Sequence, residues 1–204
     1  MSKETAHQLG TPLSSLMAWV EVLQDMNIDS DIYQDMKKDI DRLNMVTDRF
    51  SKIGSKPTLK EVDVHEVLVN AINYIKARSS EKVHTSLIAT TQSIIVPINT
   101  TLFSWVIENL FRNAVDAMRG DGMLEVELSE TDKHVIIDIS DTGKGIPKKN
   151  FKTIFKPGFT TKKRGWGLGL SLAKRIIENY HKGKIYVLVS ELNKGTIFRI
   201  QLKK

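Results

Sequence analysis

The chain has 204 residues, 41% hydrophobic and 26% charged, a balance that supports one or two domains with proper cores and excludes fibrous and disordered classes. It contains no cysteine, which excludes disulfides and thiolate metal sites and suits a reducing compartment. The net charge of +6 is spread over scattered lysines without an aromatic-interleaved basic motif, so a solvated basic surface is expected and no nucleic-acid partner.

Residues 4 to 26 read as a helix, because Leu9, Leu13, Leu16, Val20 and Leu23 alternate steps of four and three, the spacing of a coiled-coil seam. A polar turn at 27 to 30 leads to a second helix over 31 to 53, with Ile32, Met36, Leu43, Val46, Phe50 and Ile53 on its apolar side. A hairpin of two such helices cannot bury both stripes alone, so a homodimer through this hairpin, closing a four-helix bundle, is expected. With Leu9 at a d position, His7 falls on the outward face, where its imidazole is reachable. Gly10 and Pro12 follow in the same helix, although an interior proline costs about 3 kcal/mol. The helix is therefore expected to bend one turn beyond His7.

The stretch 54 to 58, GSKPT, has linker composition and marks a boundary between a 1–56 unit and a 57–204 unit. Strand patterns are predicted at 59–64, 83–89, 93–97, 123–129, 134–140, 183–190 and 195–202, with helices at 64–77, 101–118 and 168–181. Runs of strands with few helices and hairpin-length connections predict an α+β sandwich: one mixed sheet covered by helices on a single face. No apolar run approaches the roughly 20 residues of a membrane span, and the first residues do not form a signal sequence. No membrane contact is expected within these residues.

Three stretches carry chemistry. On the long helix, Asn109, Arg112, Asn113 and Asp116 recur at steps of three and four and share a face. Their oxygens suit a hard cation such as Mg²⁺; the alternative is a solvated face with an Arg112–Asp116 helix pair. Asp141 ends a strand, and Gly143 and Gly145 turn the chain directly after it, so its carboxylate can accept from an amine, or the turn can be a plain connection. The third stretch, TIFKPGFTTKKRGWGLGLSLAKRII at 153 to 177, sets a basic turn and the glycines 165, 167 and 169 before an amphipathic helix. Glycines there let main-chain N–H groups approach a phosphate, or serve a simple connection.

In this order and at these separations, the stretches resemble the ATP-binding domain shared by histidine kinases, gyrase, Hsp90 and MutL. ENLFRNAVDAM looks like the N box, DTGKGI the first glycine box, TIFKPGFTTK the F box and GWGLGL the second glycine box, while AHQLGTPLSSL resembles the phosphoacceptor box of a sensor histidine kinase. The resemblance implies ATP and Mg²⁺ as ligands, with Asn113 on the metal and Asn109, Arg112 and Asp116 near the phosphates. It implies that Asp141 reads the adenine amine, with Gly143, Gly145, Ile146 and Thr196 around the ring. Phe155 belongs to the F box, Thr160, Thr161 and Lys162 to a short lid, and Gly165, Gly167, Leu168 and Gly169 to the loop over the phosphates. His7 would take the γ-phosphoryl group and pass it to an aspartate on a response regulator receiver domain, with Gln8 beside it and Thr11 orienting water for dephosphorylation. The implied setting is cytoplasmic. Because the chain begins only six residues before His7, it is expected to be a piece of a longer kinase whose sensor, and any membrane segment, lie upstream.

Three departures from the family pattern stand out. Gln8 replaces an acidic residue, which removes a carboxylate base and keeps open an ATP-binding pseudokinase. Asp116 stands where many kinases have lysine, so Lys162 is expected to supply the missing phosphate contact. His181-Lys182-Gly183 replaces His-Gly-Gly, a change expected to affect only a turn. An ATPase of the gyrase or Hsp90 type would carry glutamate where this chain has Asn109.

Overall fold

The computed structural model describes residues 57–162 and 167–204 and, before them, Leu16, Trp19, Val20, Val22, Leu23, Tyr33, Gln34, Met36, Lys37 and Ile40. The chain divides into two compact units, Met1–Pro57 and Thr58–Lys204.

Apart from Pro57, the described residues of the first unit are helical. Val20, Tyr33 and Ile40 form a buried cluster, and the Lys37 ammonium lies 5.7 Å from the Tyr33 ring centroid. Tyr33 and Ile40 are two turns apart and so share a face. Leu16 and Met36, both expected on the apolar seams, are 46% and 40% exposed within the single chain.

The second unit runs β1 (Lys60–Asp63), α1 (Val64–Lys76), β2 (Val83–Ala89), β3 (Ile95–Ile98), α2 (Thr100–Met118), β4 (Gly122–Glu130), β5 (His134–Asp141), α3 (Gly169–Arg175), β6 (Lys184–Glu191) and β7 (Gly195–Lys203). Five strands form one mixed sheet in the order β2-β4-β5-β7-β6, parallel only between β2 and β4. One correction concerns β1 and β3, which form their own antiparallel ribbon apart from this sheet. Asp63 anchors that ribbon: its Oδ1 accepts from His65 N at 2.9 Å, capping α1, and from Ile94 N at 3.1 Å.

Strand periodicity builds the core. On β5, Val135, Ile137 and Ile139 are buried while their neighbours are half exposed, and Leu124, Val126 and Leu128 of β4 and Phe198, Ile200 and Leu202 of β7 bury the same way. Helix α2 presents Phe103, Val106, Ile107, Leu110, Phe111 and Ala114 as its buried stripe. Each Val, Leu, Ile or Phe side chain among these contributes about 1.5–3 kcal/mol on full burial. Asn109, Asn113 and Asp116 lie on the flank of the helix that this stripe leaves uncovered.

The last predicted helix changes character partway. After α3 the chain makes a π-helical turn over Ile176–Tyr180, and both the backbone N–H and Nδ1 of His181 lie within hydrogen-bond reach of Ile176 O. His181 Nε2 accepts from Asn99 N at 3.0 Å, while Asn99 Oδ1 caps α2 by accepting from Leu102 N. The imidazole is therefore neutral, with its proton on Nδ1.

Candidate functional site

The alternation that buries Val135, Ile137 and Ile139 also turns Asp141, the last residue of β5, toward the core, where it is 6% exposed. Burial pushes its carboxyl up to about 6 from the ordinary 3.8, against the lowering effect of backbone hydrogen bonds from Gly143 and Thr196. Thr196 is its cross-strand partner on β7 and is also buried.

A register shift between Val187 and Val189 changes which residues of β6 face inward. Unbroken alternation would bury Val189; instead Val189 is 55% exposed and Ser190 is buried. Ser190 Oγ accepts from Ile146 N at 2.7 Å, donates to Gly195 O at 2.9 Å and lies 2.9 Å from Thr196 Oγ1. This hydroxyl ties the loop after β5 to the β6–β7 hairpin. Sequence reasoning missed it, because no residue pattern announces the bulge.

The loop after β5 is packed without slack. Gly143 N donates to Asp141 Oδ1 at 2.8 Å, and a Cβ at Gly143 would lie 2.7 Å from Ala117 of α2. Lys144 N donates to Ala117 O, and Asn193 N to Lys144 O. Gly145 has φ +71°, and a Cβ there would lie 2.1 Å from Glu191 O. Only glycine fits both the conformation and the space.

The other side of α2 meets the basic turn. Lys162 Nζ donates to Asn113 Oδ1 at 3.1 Å and to Asp116 Oδ2 at 2.5 Å. Asp116 thus pairs with a lysine distant in sequence rather than with Arg112, which is exposed. Thr160 Oγ1 accepts from Lys162 N, and Thr161 Oγ1 accepts from Lys144 Nζ at 3.2 Å, linking this turn to the loop after β5. Gly158 N donates to Gly167 O, which closes the base of the turn. Leu168 caps α3, accepting from Leu172 N and Ser171 Oγ. Gly169 passes against α2 so closely that a Cβ would lie 2.5 Å from Asn109 Oδ1, and Asn109 Nδ2 is buried without a hydrogen-bond partner.

Residues 98–204 match the family model described as histidine kinase-, DNA gyrase B-, and HSP90-like ATPase. The chain belongs to this family. It is 32% identical to the sensor histidine kinase ZraS of Salmonella typhimurium over 207 residues, covering 97% of this chain and 44% of that protein. The chain therefore spans less than half the length of this relative. Among solved structures, the nucleotide-free catalytic domain of the histidine kinase ThkA superposes with a TM-score of 0.64 at 26% identity, covering 72% of this chain and 95% of that one. A complex of ThkA with the response regulator protein TrrA shares the fold, with a TM-score of 0.71 at 20% identity, covering 98% of this chain and 60% of that one.

In this member of the family the predicted site residues fall into two groups joined by α2. Asp141, Gly143, Gly145, Ile146 and Thr196 gather at one sheet end; Asn109, Asn113, Asp116, Lys162 and Gly169 gather along the uncovered flank of the helix. Phe155 stands apart from both: it is 8% exposed and packs edge-on against Phe198, 6.3 Å between centroids, with Lys174 Nζ 5.3 Å from its ring. His7, Gln8, Thr11 and Gly165 lie outside the described residues.

Proposed function

We propose that this chain is the dimerisation and catalytic core of a two-component sensor histidine kinase, which phosphorylates His7 from ATP and passes the phosphoryl group to a receiver-domain aspartate. The observation that carries this reading is Asn109 Nδ2, a buried donor without an acceptor, set beside the metal-compatible oxygen of Asn113 and under Gly169. A buried unsatisfied donor costs about 1–3 kcal/mol, and a phosphate oxygen would satisfy it. These residues fit a nucleotide phosphate with its cation.

Asp141 would accept a hydrogen bond from the exocyclic amine of adenine, beside a loop held in place by Gly143, Gly145 and the Ser190 hydroxyl. Asn113 would hold Mg²⁺, which would supply positive charge to stabilise the transferred phosphoryl group. Lys162 would contact the phosphates, together with Thr160 and Thr161 beside it. In the first unit, Leu16, Trp19, Val22 and Met36 are all at least 40% exposed within one chain, an apolar surface that supports a homodimer through the 1–56 hairpin closing a four-helix bundle. Among the described residues, no helix is long and apolar enough to cross a membrane.

Gln8 supports a second reading, a nucleotide-binding scaffold that signals without transfer, because an amide cannot take the proton released as the imidazole is phosphorylated. Incubation with γ-labelled Mg-ATP separates the two. The kinase yields an acid-labile, base-stable phosphoprotein that His7→Ala abolishes; the scaffold binds nucleotide and yields none.

A further inference from the structure

Asn113 Oδ1 and Asp116 Oδ2 both accept from one ammonium, Lys162 Nζ, at 3.1 and 2.5 Å. The two residues are three apart on α2, so the helix itself brings their oxygens to one side. Lys162 reaches them from 49 and 46 positions further along the chain. The pair is open to water, with Lys162 42% and Asp116 47% exposed, and an ion pair so exposed contributes only about 0–1 kcal/mol. It can be exchanged at little cost. We infer that Asp116 is a second oxygen ligand, beside Asn113, for the divalent cation that accompanies the nucleotide, and that Lys162 is a monovalent stand-in for that cation.

The inference rests on the reading of Asn109 and Asn113 as the phosphate end of an ATP site. Its chemistry follows from charge and hardness. A small divalent cation takes oxygen ligands, and a carboxylate is a stronger one than an amide oxygen. Placed beside Asn113 and Asp116, it would repel the lysine ammonium that now shares their oxygens. The displaced Lys162 then has the nucleotide phosphates as its nearest new anion, so the lysine and the metal exchange partners and every charge stays compensated. Among the described residues no cluster of three or more His, Asp or Glu side chains could hold a metal ion without further ligands. The site therefore binds the cation with the nucleotide and only weakly without it.

The test is calorimetric titration of Mg²⁺ into the full chain saturated with a non-hydrolysable ATP analogue, and of the analogue alone in EDTA. Four forms are compared: the parent chain, Asp116→Asn, Lys162→Met and the double variant, with circular dichroism confirming their folds. Asp116→Asn weakens Mg²⁺ affinity roughly tenfold or more, leaves metal-free affinity within about twofold, and has the same effect in the Lys162→Met background. If Asp116 serves only to hold Lys162, its substitution changes nothing once the lysine is gone, and that result overturns the inference. A parent chain whose nucleotide affinity is indifferent to Mg²⁺ overturns the underlying site reading as well.

Discussion

Asp141 Oδ1 accepts the backbone N–H of Gly143 at 2.8 Å, a bond that holds a buried acid at the open end of a strand. Burial has raised this carboxyl to about 6, so near neutral pH it is ionised in surroundings that disfavour the charge. An adenine amine donating to it would favour the ionised form. Nucleotide binding should therefore be coupled to proton release, and ATP affinity should fall as pH drops below about 6. Calorimetry in buffers of different ionisation enthalpy measures the proton directly; Asp141→Asn should abolish the release and weaken binding at pH values where the carboxylate is charged.

The same acid has a stability signature in the nucleotide-free chain. Its folded pKa, about 6, lies above the ordinary 3.8, so between these values the folded state binds more protons than the unfolded state and stability falls as pH rises. At 1.36 kcal/mol per pH unit, the ionised form costs about 3 kcal/mol. Asp141→Asn should accordingly raise the urea midpoint of the second unit at neutral pH while it weakens ATP binding. A variant that loses both stability and binding would contradict the assignment.

His181 works in the opposite direction. Burial lowers its pKa from the ordinary 6.5, against the raising effect of its bonds to Ile176 and Asn99. The unfolded state therefore takes up a proton first as pH falls, and stability that is full above 6.5 is lost below it. In the Asp141→Asn background, which removes the competing acid, the urea midpoint should drop as pH falls through this range. Adding His181→Gln should flatten the drop.

Lys182, which follows it, has φ 54°, in the left-handed region where a side chain is disfavoured. Lys182→Gly should raise stability by up to about 1 kcal/mol, seen as a higher urea midpoint with unchanged nucleotide affinity. The departure from His-Gly-Gly is then a local conformational cost with no part in the site.

Ser190→Ala would leave the Ile146 N–H without its acceptor and release Thr196 from its neighbour. A loss of about 1–3 kcal/mol in stability is expected, with weaker ATP binding because the loop beside Asp141 loses its tie to the hairpin. Thermal unfolding with and without Mg-ATP checks both effects.

The strands and helices of the second unit were legible because their periods are simple: the alternation in HVIIDISD and the apolar stripe of α2 each allow one burial pattern. The places of Asp141 at the end of β5 and of Asn113 on α2 were legible because the motifs pair residue type with spacing. The separate β1–β3 ribbon was not, since it is set by which edges meet in space. Ser190 was hidden by the β6 bulge, and the π-helical turn by a sequence that reads as continuous helix. The Lys162–Asp116 pair escaped for a third reason: an i,i+4 arginine was the nearer candidate by sequence, and only the tertiary fold brings the lysine within reach.

Whether nucleotide lies along α2 between Asn113 and Asp141 is read out by amide nuclear magnetic resonance of the chain during a Mg-ATP titration. Large shifts are expected in the side-chain amides of Asn109 and Asn113 and in the backbone amides of Gly143, Gly145, Gly169 and Thr196. A shallow depression of about 260 Å³ beside the same loop, lined by Ala117, Met118, Arg119, Thr142, Gly143, Lys144 and Asn193, offers the contrasting location. Shifts confined to Met118, Arg119 and Asn193, with Asn109 and Asn113 unmoved, would contradict the account.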